Sequence, residues 1–168
     1  MGRKSVKENK SIYQQAREEM GLTRAQASEL TGGLSESQIE KIESGKTRPQ
    51  PEDVLLMAEA YKNPYLCNNY CAKECAIGES YVPALDTKEL PQIVLETLAA
   101  LNAATGQKDR LIEISADGEL SDDEVEDFVK IQKQLQSISV SFQALNLWVE
   151  KTVATGKVDE KLLEMMKG

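Results

Sequence analysis

The chain has 168 residues, a formal charge of −8 and no histidine. Without imidazole there is no Ser-His-Asp triad, no Cys-His pair and no His-ligated zinc or haem site. Hydrophobic residues make up 40% and aromatics only 5%, which points to an aliphatic core between packed helices, and no apolar run reaches the roughly 18 residues of a membrane span.

The charge is unevenly placed. Residues 1–62 hold 10 basic and 10 acidic residues, whereas residues 63–168 hold 10 basic and 18 acidic ones. Residues 1–10 form a basic arm carrying Arg3, Lys4, Lys7 and Lys10 against Glu8. The arm has no apolar stretch of the kind a secretory signal needs. Val6, where a hydroxyl residue is required, argues against myristoylation of Gly2. A cytoplasmic location is expected, with the three cysteines kept reduced. An acidic body repels polyphosphate, so contact with nucleic acid should fall to the front of the chain.

Residues 11–61 read as a series of short helices. Ile12, Tyr13, Ala16 and Met20 recur near helical spacing, and Gly21 suits the residue just past a helix end. Thr23, followed three residues later by Gln26, has the form of a capping box and opens a helix over 24–30 that stops at Thr31-Gly32-Gly33. Ser35 caps a third helix, 36–43, whose buried face is Ile39 and Ile42. Residues 46–51 are a loop, and a fourth helix covers about 52–61 with Val54, Leu55, Met57 and Ala58 apolar. A helix, a short Gly-bearing turn and a second short helix make a helix-turn-helix.

Two strings carry a family resemblance. They are Arg17-Glu18-Glu19-Met20-Gly21-Leu22-Thr23 and Leu34-Ser35-Glu36-Ser37-Gln38-Ile39-Glu40-Lys41-Ile42-Glu43-Ser44-Gly45-Lys46-Thr47-Arg48-Pro49. Over about residues 11–75 the chain resembles the lambda repressor/Cro-like family, also called the xenobiotic-response-element family. The resemblance implies a five-helix domain whose third helix enters the major groove of double-stranded DNA with its first residues at base edges. Glu36, Ser37 and Lys41 align with base-reading positions, and Ser35 and Gln38 are of fitting size and polarity for the same face. Thr23 and Arg24 align with phosphate contacts, while Ser44, Lys46 and Arg48 fall in the loop that follows the DNA backbone. Arg17 and Glu43 align with a buried ion pair.

Residues 67–75 hold Cys67, Cys71 and Cys75 in a C-x3-C-x3-C pattern. On one helix ended by Gly78 they would form a single stripe. Such a stripe could hold zinc or an iron–sulfur cluster with Glu74 or an outside group as a fourth ligand. Without a second cysteine set, packing as small hydrophobes is the preferred reading, and no metal or other cofactor is expected.

Beyond a linker at 79–85, residues 86–168 are expected to form a long antiparallel helical hairpin serving self-association. Leu90, Val94, Leu98, Leu101, Leu111 and Ile112 mark a first helix to about residue 114, with Gly106 as a point of interruption. Residues 113–124 resemble the second half of a calcium-binding EF-hand loop, but Glu at the first position and Ser at the third favour a solvated turn. Ser121 and Glu124 form a capping box before a helix over 121–155. Phe128, Leu135, Phe142 and Val149 recur every seven residues, as do Ile131, Ile138, Leu145 and Thr152. This is a coiled-coil pattern in which Trp148 can anchor an interface.

The fold expected is therefore all-α: helix-turn-helix domain at 11–78, linker, and helical hairpin. The function expected is sequence-specific DNA binding by a homodimeric transcriptional regulator, a repressor. The alternative is a protein-interaction adaptor or antitoxin-like module on the same fold. An enzyme is not expected, since no nucleophile–base spacing and no phosphate-binding glycine loop is present.

Overall fold

The computed structural model describes residues 10–159, 161 and 165. Of the expected basic arm, only Lys10 lies within the described residues. Among them every regular element is an α-helix, and the chain divides into two compact units. One takes the residues up to Ala84 and those from Glu150 onward; the other is Leu85–Val149.

In the first unit, the helix ends are written by local chemistry. Helix α1 (Ile12–Glu19) begins where the Ser11 hydroxyl accepts from the Gln14 amide. It closes with Gly21 in the left-handed region (φ +70°), its amide bonded to the Glu18 carbonyl and that of Leu22 to the Arg17 carbonyl. This paired closure uses carbonyls that would otherwise lack partners. Helices α2 (Arg24–Thr31) and α3 (Glu36–Glu43) both begin with a full capping box, Thr23 with Gln26 and Ser35 with Gln38. Helix α4 (Pro51–Ala60) starts on proline, whose missing N–H costs nothing in a first turn. Helices α5 (Tyr65–Lys73) and α6 (Gly78–Tyr81) complete the set.

The apolar faces of α1 to α5 meet in one core of Tyr13, Ala16, Ala27, Leu34, Ile39, Ile42, Val54, Met57, Ala58, Tyr61 and Leu66. Ile39, Val54, Met57 and Leu66 are the largest fully buried side chains. The Tyr13 hydroxyl donates to Glu74 Oε1 at 2.7 Å and ties α1 to the end of α5.

The expectation of one cysteine stripe ending at Gly78 is corrected here. Helix α5 stops at Lys73, so Cys67 and Cys71 share it and Cys75 lies beyond it. The amides of Glu74 and Cys75 both turn onto the Tyr70 carbonyl, which closes the helix. Gly78 is not a stop signal. It begins α6, and its backbone sits against that of Cys71 so closely that a Cβ there would lie 2.1 Å from the Cys71 carbonyl oxygen. Helix α6 thus occupies part of the stretch read as linker. All three thiols are half-buried, and Cys67 packs on the core. Burial, followed by the neighbouring Cys71, holds the Cys67 thiol above its ordinary pKa.

The second unit carries α7 (Leu90–Thr105), α8 (Lys108–Ile114) and most of α9 (Val125–Ala154). The break between α7 and α8 falls at Gly106-Gln107. Ser121 and Glu124 make their box, with Ser121 Oγ donating to Glu124 Oε2 at 2.6 Å, and α9 begins one residue later. Arg110 of α8 pairs with Asp127 of α9 at 2.9 Å. Along α9 the two expected heptad rows part company. Ile131 is buried and Ile138 and Leu145 are half-buried, whereas Phe128, Leu135 and Phe142 remain exposed. The inward row runs 131, 134, 138, 141, 145, 148, 152, so Gln134 and Ser141 take places that an apolar pattern does not mark.

Candidate nucleic-acid interface

Helix α3 spends its inward side on Ile39, Ile42 and Glu43, all buried. A helix turns once in 3.6 residues, which places Ser37, Lys41 and Ser44 opposite that side. Glu36 and Glu40 flank this ridge on one side and Gln38 on the other. All six of these residues are exposed, as is Ser35. The outermost ridge is therefore small and hydroxylic with one cation, on a cylinder narrow enough for a groove about 12 Å wide.

The capping boxes decide what several of these residues can still do. Ser35 Oγ accepts from the Gln38 amide, and both the Ser35 amide and hydroxyl donate to Gln38 Oε1 at 2.9 and 2.8 Å. The Gln38 side-chain oxygen is engaged, leaving its NH2 as the group free to face outward. Thr23 and Gln26 repeat the arrangement on α2. The α2 amides not taken up by the cap are those of Arg24 and Ala25. Sequence reasoning found the first box and missed the second, although Ser35-x-x-Gln38 is the same signal as Thr23-x-x-Gln26.

Glu43 is the hub behind this face. Its side chain is 1% exposed and receives Arg17 Nε on Oε1 at 2.5 Å and Arg17 Nη2 on Oε2 at 3.0 Å. Arg17 Nη1 also donates to the Leu22 carbonyl at 2.6 Å, within the turn that leads to α2. The hydrogen bonds to Glu43 hold the Arg17 guanidinium above its ordinary pKa. A second guanidinium, unforeseen from sequence, joins the pair: Arg24 Nε lies 2.9 Å from Glu43 Oε2, with the Arg24 side chain 39% exposed. One carboxylate between two guanidiniums leaves a net positive charge, with Arg24 as its outward member. The Tyr61 hydroxyl lies buried without a hydrogen-bond partner, and burial together with Glu43 pushes its pKa up to about 12.

The loop after α3 is set by Gly45 (φ +72°), whose amide bonds to the Ile42 carbonyl while that of Lys46 bonds to Lys41. That closure positions Lys46 directly past the helix end. Lys46, Thr47 and Arg48 are exposed and Pro49 is buried, so the loop is anchored at its far end and open along its length. The sequence-predicted positions thus lie on three neighbouring pieces of backbone: the start of α2, the outward side of α3 and the loop that follows. The cysteines belong to a different part of the unit, and among the described residues no group of three or more Cys, Asp or Glu is placed to hold a metal ion. No described helix is long and apolar enough to cross a membrane.

Comparison with known proteins adds one finding. Residues 14–65 match the family model described as Helix-turn-helix. No match emerged among curated proteins or among solved structures. The matched residues run from within α1 to the start of α5 and include Thr23, Arg24, the whole of α3 and its following loop. Residues 14–65 are thus similar to helix-turn-helix domains of the lambda repressor-like kind, a class of DNA-binding regulators.

Proposed function

We propose that this protein is a sequence-specific DNA-binding transcriptional regulator that acts as a homodimer and represses its target. The observation that carries the reading is the outward ridge of α3. Ser37, Lys41 and Ser44 are exposed on a helix held to the fold by two buried isoleucines, next to a free α2 N-terminus and a loop bearing Lys46 and Arg48. In the groove, Ser37 and Lys41 read base edges, with Lys41 suited to a guanine. Glu36 lies at the start of α3, where a carboxylate can accept from a cytosine amino group. The Arg24 and Ala25 amides with the Arg24 guanidinium take one phosphate. Lys46 and Arg48 take phosphates further along, and Ser44 supplies a hydroxyl at the helix end. Thr23 shapes this site through its cap.

Salt dependence tests this. A dimer that neutralises three phosphates per protomer through Arg24, Lys46 and Arg48 should show a slope of log affinity against log salt of about −5 on duplex DNA. Arg24→Ala should reduce the slope by about one per bound protomer and weaken all sequences alike. A flat salt response, or no binding, overturns the reading. Glu36 and Glu40 on the same face favour a second reading, a protein-interaction adaptor that engages a basic partner. In that case Lys41→Ala leaves the partner affinity unchanged or raises it.

A further inference from the structure

We infer that Gln38 is a specificity-determining residue of α3: its side chain can only donate to DNA, and it selects a base edge rich in acceptors, guanine or thymine, over adenine and cytosine. This deepens the DNA binding of the proposed function and rests on it.

The cap fixes which end of the carboxamide faces out. Gln38 Oε1 takes the Ser35 amide at 2.9 Å and the Ser35 hydroxyl at 2.8 Å. A backbone N–H can only donate, so the oxygen must face it and the NH2 must point away. Two incoming hydrogens also fill the two acceptor sites of that oxygen. Glutamine pairs with adenine by accepting from N6 while donating to N7, and Gln38 has no acceptor left for that. The residue is exposed, and among the described residues nothing accepts from its NH2. Guanine N7 and O6 can take both hydrogens and thymine O4 can take one. Adenine sets its own amino group beside N7, and cytosine presents only an amino group.

The choice of residue is a second, independent observation. Glu closes a capping box as well as Gln does, and a carboxylate there also interacts favourably with the helix N-terminus. This chain uses an acid elsewhere: Asp53 accepts from the Gln50 amide at the start of α4, and Glu124 accepts from the Ser121 amide before α9. The boxes closed by glutamine open α2 and α3, the two helices of the helix-turn-helix. Glutamine makes the same bonds there, keeps a donor facing out and adds no charge for phosphate to repel.

Selection from random duplexes tests this with Gln38→Glu. The substitution keeps an oxygen in the cap and turns the outward donor into an acceptor. The variant should melt no lower than wild type. It should exchange one position of each half-site from guanine or thymine to cytosine, whose amino group a carboxylate accepts, with a preference of roughly tenfold. A residue that only caps its helix would leave the motif unchanged. Gln38→Met removes the donor without adding charge, and it should lose the preference at that position and gain none. Should Gln38→Glu lose binding altogether, Gln38→Met decides. Failure of wild type to enrich any motif overturns the DNA reading, and this role of Gln38 with it. A wild-type motif that both variants leave unchanged overturns the role of Gln38 alone, as does adenine or cytosine in wild type at the position that changes.

Discussion

Glu43→Gln is the sharpest perturbation of the N-terminal domain. The substitution keeps the shape and removes the charge that faces two guanidiniums. Arg17 has a side chain only 8% exposed and cannot recover water, whereas Arg24, 39% exposed, can. The cost therefore falls almost wholly on Arg17, and breaking a buried pair from one side costs about 3–5 kcal/mol. For a domain of this size each kcal/mol moves Tm by about 4–8 °C, so the melting point should fall by more than about 12 °C. The chain supplies its own probes. All five tyrosines lie within residues 13–81 and the single tryptophan is Trp148, so tyrosine near-ultraviolet dichroism follows the first unit and tryptophan fluorescence the second. The tyrosine transition should shift and the tryptophan transition should move far less. Arg24→Ala, which removes a half-exposed partner, should cost under about 1 kcal/mol. Replacing both buried members with apolar residues, Arg17→Met with Glu43→Leu, should be less damaging than Glu43→Gln alone, because no buried charge is left unpaired. A Glu43→Gln protein within about 1 kcal/mol of wild type would refute the claim that this carboxylate joins α1 and α2 to α3.

Two further outcomes follow from the same structure. Gly78→Ala drives a Cβ into the Cys71 carbonyl at 2.1 Å. It should destabilise the first unit by about 1–3 kcal/mol and raise Cys71 reactivity towards a thiol reagent. At high pH, burial raises the Tyr61 pKa to about 12 and, with the bond to Glu74, raises that of Tyr13 as well. The folded state then binds more protons than the unfolded chain above about pH 10, so stability is intact below that pH. It should fall by up to about 2.7 kcal/mol per pH unit as pH rises from 10 towards 12. In an absorbance titration of tyrosinate, Tyr13 should ionise only with unfolding and Tyr61 in the folded protein only near pH 12, and Tyr61→Phe should lessen the alkaline loss.

What was legible in the sequence was whatever local chemistry fixes. The starts of α2 and α3 are written in Thr23 and Ser35, and their ends in Gly32 and Gly45, so their bounds were readable within a residue. The Arg17–Glu43 pairing came through family resemblance, not spacing. The approach of Arg24 to the same carboxylate did not come through, because nothing in a linear charge pattern tells which of two arginines reaches one buried acid. The end of α5 was misplaced for a similar reason: Gly78 looks like a helix terminator, yet its role is to let one backbone lie on another. On α9 the seven-residue repeat was correct as a period. Apolar residues occupy two adjoining rows, however, and pattern alone favoured a seam without Gln134 and Ser141, which the fold turns inward. At the candidate interface, Gln38 was read as a surface group because its side chain is polar. Its oxygen is committed to the cap of its own helix.

The central claim is that Ser37 and Lys41, on the outward ridge of α3, meet base edges. Selection of bound sequences from a pool of random duplexes, run in parallel with wild type and Lys41→Ala, tests it most directly. The account predicts an enriched, two-fold symmetric motif with half-sites about 10 base pairs apart, and a changed base preference at one position of each half-site in the variant. No enrichment, or one motif shared unchanged by both proteins, would contradict it.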